Sequence, residues 1–547
     1  MTRTLDTQVA VVGAGPVGAT VANFLGLYGV ETVLIERCPQ VIDYPRAVGL
    51  DDECLRSFQA VGLAGELARD MIQNVPLRFF DARGRCFADV RPATREYGWS
   101  RRNIFLQPAC ERVLRRGLGR FPSVQTLLGH DAIRLHQDDL GVELGVLAPG
   151  DEHLRIRAQY VVAADGGRST VRDLLGVPLE GGTHPRKWVV IESDTDPLDA
   201  PYTGLHCDPA RPYVSIRLPH DGRRWEFMLF PGEDSEEMLK PGQVRELLAP
   251  HVEDPARLNI IRARVYTHHS RIARRFTVGR VCLAGDAAHL MPPWAGQGMN
   301  TGIRDATNVA WKIAAVINQG ADPSILASYD TERRPHAQAM IDLSTTLGRI
   351  LSPTDRRVAA ARDLAFRSIA RAPAVKNWIL QMRFKPMPRY AGGLVTPGER
   401  GRNSPVGRMF IQPLVEDPHG RTRRLDDTLG PWFAVLGFGA DPAGHLTDAQ
   451  RDYLNRLGAS LIKVTDSRAG QSRRTAAHQG TQVIEDLEGH LREWFTKHAT
   501  RFAVIRPDRY VAAHADETSL GAAIDQLRGL LEPGAAGGET PQQEAAP

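Results

Sequence analysis

Cysteine is scarce in this chain: six residues in 547 (Cys38, Cys54, Cys86, Cys110, Cys207 and Cys282), and none after Cys282. No pair forms Cys-x-x-Cys and no group has metal-ligand spacing, which excludes a dithiol redox centre and a cysteine metal site. No metal is expected; reduced, mostly buried thiols in a cytoplasmic protein are. Net charge is also slight, +4. No basic run is interleaved with aromatics, so nucleic acid is not an expected partner. No uninterrupted apolar run reaches the roughly 18 residues of a membrane span. The first strand pattern starts at Gln8, leaving no room for a signal peptide. A soluble protein without a membrane association is expected.

What is present is ordinary globular material, with 42% hydrophobic and 24% charged residues. The length suggests about two to four domains. The N-terminal third alternates short β-branched runs with helical patterns, as a doubly wound α/β layer does. From Trp188 to Phe230 the texture becomes antiparallel: Pro212 to Leu218 and Arg224 to Phe230 alternate as strands with one buried face. The α/β texture returns at Arg280 to Asp286. The expected organisation is therefore a nucleotide domain in two parts, residues 1–187 and 275–345, with a substrate-facing sheet inserted at 188–274. A helical connection follows at 346–400, its end marked by Pro386, Pro388, Gly392, Gly393, Pro397 and Gly398. A further α/β unit spans 401–532, with strands at Trp432 to Leu436, Ser460 to Val464 and Phe502 to Ile505. Residues 533–547 are too poor in large apolar groups to fold.

Three glycine motifs carry the chemistry. Gly13-Ala14-Gly15-Pro16-Val17-Gly18 follows the strand Gln8 to Val12 and opens a helix ending near Gly29; a second strand then delivers Glu36 and Arg37. Gly13 permits the tight turn, Gly15 lets a diphosphate approach the backbone, and Gly18 lets helix and strand pack closely. The helix N-terminus offers free N–H groups and partial positive charge, and Glu36 is placed to accept from adenosine ribose hydroxyls. These features imply a dinucleotide and leave NAD and FAD both open. Asp165-Gly166, ending the strand from Tyr160, is either a second cofactor contact or an ordinary capped turn. Gly285-Asp286 closes another strand, and the run from Pro292 and Pro293 to Gly298-Met299-Asn300 enters a helix. Asp286 suits the ribityl or pyrophosphate end of a flavin nucleotide. The helix beginning near Gly298 can aim its positive end at the flavin N1–C2 edge, where charge accumulates on reduction.

In order and spacing these motifs resemble the class A, para-hydroxybenzoate hydroxylase-like, FAD-dependent aromatic monooxygenases, over residues up to about 345. The resemblance implies a Rossmann-like FAD-binding domain with an inserted antiparallel substrate sheet, bound FAD, and NADH or NADPH as a transient co-substrate. It implies Arg46, in Pro45-Arg46-Ala47, and Gln107 as further FAD contacts, though each could be a surface charge or a polar helix start. The Pro292-Pro293 turn resembles the family segment beside the flavin; His289, nearby, reads as a structural hydrogen bond before it reads as a base. A second Gly-x-Gly-x-x-Gly is absent, which fits a nicotinamide that docks only transiently. Four segments, Ile42 to Glu53, Cys207 to Ser215, Met382 to Pro388 and Arg506 to Ala512, narrow the resemblance to the 3-(3-hydroxyphenyl)propionate hydroxylases. Such enzymes hydroxylate a small phenolic carboxylate, 3-hydroxycinnamate included, ortho to the phenol with O2, through a flavin hydroperoxide, in aromatic catabolism. In many such enzymes the C-terminal unit resembles a thioredoxin fold. Without cysteines it has a packing role here, or one at a homo-oligomer interface. For the substrate tail Arg211, Arg217 and Arg224 are candidates, with Tyr213 on the same sheet; Tyr213 and Arg224 are the residues chosen. No phenol-activating residue can be named.

Overall fold

In a computed structural model of the chain, the residues described are 3–369, 372–397, 404–466 and 477–533. The tail expected at 533–547 lies almost wholly outside them, as does Gly398.

The first motif forms β1 (Arg3–Val12), α1 (Pro16–Leu27) and β2 (Thr32–Glu36). Val9 to Val12 and Thr32 to Ile35 are buried on both faces, so these runs do not alternate in polarity. β1 lies between Glu152–Ala163 and β2, all parallel, and Val281–Leu283 and Val124–Leu128 extend the sheet in parallel on either side. β1 starts earlier than the sequence pattern suggests because Arg3 to Thr7 pair in register with Leu154 to Ala158. Pro at the start of α1 supplies a preset φ where no intrahelical N–H is needed. Helix Gly298–Asn318 packs beside α1 on this layer, with Trp311 fully buried. These elements form one Rossmann-like core.

The second sheet has eight strands, ordered from His289–Leu290 through Ile260–Ala273, Leu179–Ser193, Arg223–Met228, Tyr213–Arg217 and Thr203–His206 to Leu77–Phe80 and Cys86–Val90. It is antiparallel except where Thr203–His206 runs parallel to Leu77–Phe80. It is therefore wider than a 188–274 insertion: its last two strands come from a segment expected within the nucleotide domain. Alternation along its strands sorts the side chains. Val214, Ile216, Arg224 and Glu226 face one cavity, while Trp225 and Phe227 pack with Val244, Leu247 and Leu248 on the opposite face.

In the C-terminal unit, Ser460–Asp466, Ala434–Phe438, Phe502–Ile505 and Val511–Ala515 are neighbours in that order, the first pair parallel and the others antiparallel. Helices Asp448–Arg456, His490–Lys497 and Leu520–Leu531 complete a thioredoxin-like arrangement. The glycine- and proline-marked connection is packed: Tyr390, Leu394, Val395 and Thr396 are buried.

A buried ion network joins this unit to the Rossmann-like core. Glu332 accepts from Arg506 at 2.7 and 2.8 Å and from Lys312 at 2.8 Å, and Arg506 also pairs with Asp508 at 2.7 Å. Burial pushes the Glu332 carboxyl up, but Arg506 and Lys312 outweigh it and hold it far below the usual range. Glu332→Ala leaves two buried cations without their shared anion and should cost about 3–5 kcal/mol, read as a lower thermal midpoint. A depressed carboxyl stabilises the fold above its ordinary value of 4.5 and loses that contribution as pH falls further. The wild-type advantage over Glu332→Ala should therefore shrink in acid. An unchanged midpoint near neutral pH would show that the network is dispensable.

Candidate active site

The glycine loop behaves as its residue types dictate. A Cβ on Gly13 would lie 2.4 Å from the Ala164 carbonyl oxygen, and one on Gly18 would lie 1.8 Å from the Gly13 oxygen. Gly13 also has φ +99°, in the range that favours glycine. Gly15 is different: a Cβ there meets no protein atom within 4 Å. Two of the glycines thus close the strand–helix crossing, and the third opens onto space. The Glu36 carboxylate accepts from Ala14 N at 2.7 Å and Cys38 N at 2.8 Å, which fixes the loop.

Two adjoining cavities flank this loop and share Gly15, Arg46, Ala164 and Gly166. The smaller, about 150 Å³, is lined by Gly13, Glu36, Arg37 and Asp165. The larger, about 300 Å³, runs past Pro16, Val17, Gln107, Asp286, Pro293 and Gly298-Met299-Asn300 to the sheet and Arg224. Helix Gly298–Asn318 has no side-chain cap at its N-terminus, so its first N–H groups are available at the cavity wall. An open glycine, two helix N-termini and two chambers in line fit a flavin adenine dinucleotide. Gly15, Glu36, Arg46, Asp286 and the 298–300 turn are the residues that would hold it.

Several expected contacts act through the protein. Gln107 Oε1 accepts from Ala47 N at 2.7 Å and its amide donates to Glu111 at 2.8 Å, so Gln107 positions the Arg46 loop. Asp165 accepts from Ser169 Oγ at 2.5 Å and Val171 N at 3.1 Å, capping the next helix while still lining the smaller cavity. Ala14, Gly18 and Gly285 line neither cavity; Gly285 N donates to Asp305, and Gly285 abuts Val17. His289 is fully buried against Asp305 at 2.7 Å, a carboxylate shared with Arg333 at 2.9 Å. It is a structural contact and does not reach the cavity.

The substrate candidates divide by strand alternation. Tyr213 points away from the cavity, stacked on His206 and tilted against His251, with ring centroids 4.1 Å from each. Its even-numbered neighbours Val214 and Ile216 line the cavity instead, so choosing Tyr213 places the reading on the wrong face. Arg211 is paired with Glu233, and Arg217 lies near Asp196 and Asp221. Arg224 does line the cavity, but it donates to Glu226 at 2.8 Å, Glu192 at 3.3 Å and the Pro45 carbonyl at 2.8 Å. Its Nε and Nη1 tie the sheet to the Arg46 loop.

Sequence reasoning missed the charges that assemble this wall. Arg304 pairs with Asp51, and with Glu53 at 2.5 Å; Lys385 pairs with the same carboxylates at 2.8 and 2.6 Å. Asn300 accepts from Asp51 N at 3.0 Å and donates to the Gly49 and Gly296 carbonyls at 3.0 and 2.6 Å. The signal was within reach: Asp51 to Glu53 and Lys385 belong to two of the segments that carry the family resemblance, and here they meet.

Gly15→Ala should leave the stability of the flavin-free protein within about 0.5 kcal/mol yet abolish most flavin binding. Gly18→Ala should lower both, because strand and helix must separate. Asp286→Ala should lose most of its flavin with little change in the apoprotein midpoint. Flavin-to-protein absorbance ratios and thermal midpoints check all three; full flavin in Gly15→Ala or Asp286→Ala would remove that residue from the site.

Residues 6–344 match the family model described as "FAD binding domain", and residues 407–530 match the "HcaD C-terminal domain". A Burkholderia vietnamiensis protein named 3-(3-hydroxy-phenyl)propionate/3-hydroxycinnamic acid hydroxylase 2 is 51% identical over 98% of this chain and 97% of its own. An Escherichia coli protein named 3-(3-hydroxy-phenyl)propionate/3-hydroxycinnamic acid hydroxylase is 44% identical over 96% and 95%. Among solved structures, the flavin-dependent monooxygenase PieE, in complex with FAD and substrate, shares the fold with a TM-score of 0.80 at 22% identity, over 96% of this chain and 99% of its own. With a cavity built for the dinucleotide and a family match over most of the chain, this protein belongs to the FAD-binding-domain family and is a flavin-dependent aromatic hydroxylase.

Proposed function

We propose that the chain hydroxylates 3-(3-hydroxyphenyl)propionate, and 3-hydroxycinnamate, ortho to the phenol. The observation that carries this reading is the continuity of one cavity from the Gly15 loop to the apolar residues of the sheet, which would bring a flavin edge and a phenol ring into one space. The names of relatives about half identical over nearly the whole chain support the choice of substrate. The balance is one reduced nicotinamide, one O2, one proton and the phenol in; one catechol, one water and one oxidised nicotinamide out. Bound FAD supplies the redox chemistry, accepting hydride and activating oxygen.

The chain's own groups orient the ring and keep water away. Leu205, Val214 and Ile216 line the cavity from the sheet, Leu343 and Leu347 from a helix, and Phe384 from the connection. This apolar lining favours an aromatic ring over water and holds it for attack at one carbon. Among the described residues no second dinucleotide fold is present, which supports brief docking of NADH or NADPH on the flavin domain. The same reading places the protein in the cytoplasm, where its six free thiols fit a reducing environment. It gives the cysteine-free C-terminal domain a packing role, with a homo-oligomer through that domain as its further expectation.

Nicotinamide oxidation, oxygen uptake and product mass should be followed with 3-(3-hydroxyphenyl)propionate, 3-ethylphenol and a polycyclic phenol. The acid should accelerate flavin reduction, gain one oxygen and release little hydrogen peroxide. For 3-ethylphenol kcat/KM should be lower by one to two orders of magnitude, given about 1.5–3 kcal/mol for a charged hydrogen bond. Better coupling with the polycyclic phenol would assign the same chemistry to a larger aromatic substrate.

A further inference from the structure

Of the charged side chains that line the larger cavity, Asp51, Arg101, Arg224 and Glu226 are paired within the protein, while Asp286 and Arg46 lie along the stretch assigned to the flavin. Asp51 is held by Arg304 and Lys385. Arg101 pairs with Glu96 at 3.0 Å, lies 3.6 Å from Asp52 and donates to the Gln381 carbonyl. Arg224 is bound by Glu226 and Glu192. Arg46 is exposed, at the junction of the two cavities that a flavin would span. Arg102 stands apart. It lines the cavity, its Nη1 is buried, and that atom has no hydrogen-bond partner. Burial pulls its guanidinium down to about 10, with no acidic neighbour to oppose the shift.

Its backbone is fixed on both sides. The Arg102 carbonyl accepts from Val75 N at 3.0 Å, and the next residues, Asn103–Ile104, pair with Gly49–Leu50. Leu77, Ile104, Met382 and Phe384 line the same cavity, whose wall is mostly apolar. Arg102 is half-buried overall, but a buried cationic donor without an acceptor is costly, and a protein keeps such a group where a ligand completes it. The planar fork of arginine matches a carboxylate with two parallel hydrogen bonds, which an ammonium cannot reproduce.

We propose that Arg102 is the anchor for the substrate carboxylate and the residue that makes the enzyme select an aryl carboxylic acid over a neutral phenol. This rests on the function proposed above, since only an acidic substrate supplies the missing anion. Arg224, chosen from sequence for this part of the site, keeps a positioning role: its Nε is bound to Glu226 and its Nη1 to Glu192 and the Pro45 carbonyl.

FAD-loaded wild type, Arg102→Met and Arg102→Gln should be titrated with 3-(3-hydroxyphenyl)propionate and with 3-ethylphenol. Binding is read from the change in the flavin absorbance spectrum, with thermal midpoints measured in parallel. Wild type should prefer the acid. Both variants should lose roughly ten- to a hundredfold in affinity for the acid while binding 3-ethylphenol as wild type does. Arg102→Met should raise the midpoint of the substrate-free protein, because a buried donor without an acceptor is gone, and should abolish the further rise that the acid gives wild type. Arg102→Gln keeps a polar donor of similar length and decides the matter if the methionine variant does not load flavin. An unchanged preference for the acid in either variant, or an equal loss for both ligands, overturns the assignment of Arg102 and leaves the hydroxylase reading standing. Wild type that binds 3-ethylphenol as tightly as the acid overturns the substrate reading itself, and the anchor with it.

Discussion

The site depends on one buried cluster of charges. Arg304, on the helix whose N-terminus faces the cavity, sits between Asp51 and Glu53, and Lys385 bridges the same two carboxylates. Three segments far apart in sequence are thereby held together: the loop from Arg46 to Asp51, the turn at 298–300, and the connection carrying Met382 and Phe384. Each lines the larger cavity. Burial pushes Glu53 up, but Arg304 and Lys385 more than offset it and hold it near 2. Asp52, next in the chain, escapes that compensation, and burial carries it up to about 7. Such a cluster adds little net stability over an apolar core of equal volume. What it adds is geometry, because each partner's absence would leave its neighbours buried and uncompensated.

The same rule explains the sheet side of the cavity. Arg224 and Arg262 share Glu192 and reach the Pro45 and Asp43 carbonyls, at 2.8 and 3.1 Å. The sheet is thus tied to the chain just before Arg46 by charges that cancel internally. Charges that build the wall are paired; a charge that serves a ligand is not. Arg102 stands out against this pattern for that reason, and its neighbour Arg101, joined to Glu96 and near Asp52, does not.

Much of the fold was legible because it is dictated locally. The Gly13 to Gly18 loop must be glycine where backbones nearly touch, and the strand–helix–strand pattern around it allows few alternatives. Tyr213 shows where this kind of reading stops. Alternation places it on a face opposite to Val214, but sequence does not say which face meets the cavity, since both carry apolar residues. Arg224 shows a second limit. It reaches the cavity, yet its partners Glu192 and Pro45 are distant in sequence, and nothing local reveals that its Nη1 is occupied. Arg102 was passed over for the converse reason: an absent partner leaves no pattern. The strands Leu77–Phe80 and Cys86–Val90 were also missed, because joining a distant sheet is a tertiary event that period and composition do not encode.

The central claim is that one cavity, set by the Asp51–Glu53–Arg304–Lys385 cluster, holds the flavin and the acid together. A crystal structure of the FAD-loaded protein with 3-(3-hydroxyphenyl)propionate tests it most directly. The account predicts the flavin along Gly15, Asp286 and the 298–300 turn, the phenol ring against Val214 and Ile216, and the carboxylate on Arg102. Substrate bound on the Tyr213 face of the sheet, or lying in the larger cavity with its carboxylate away from Arg102, would contradict it.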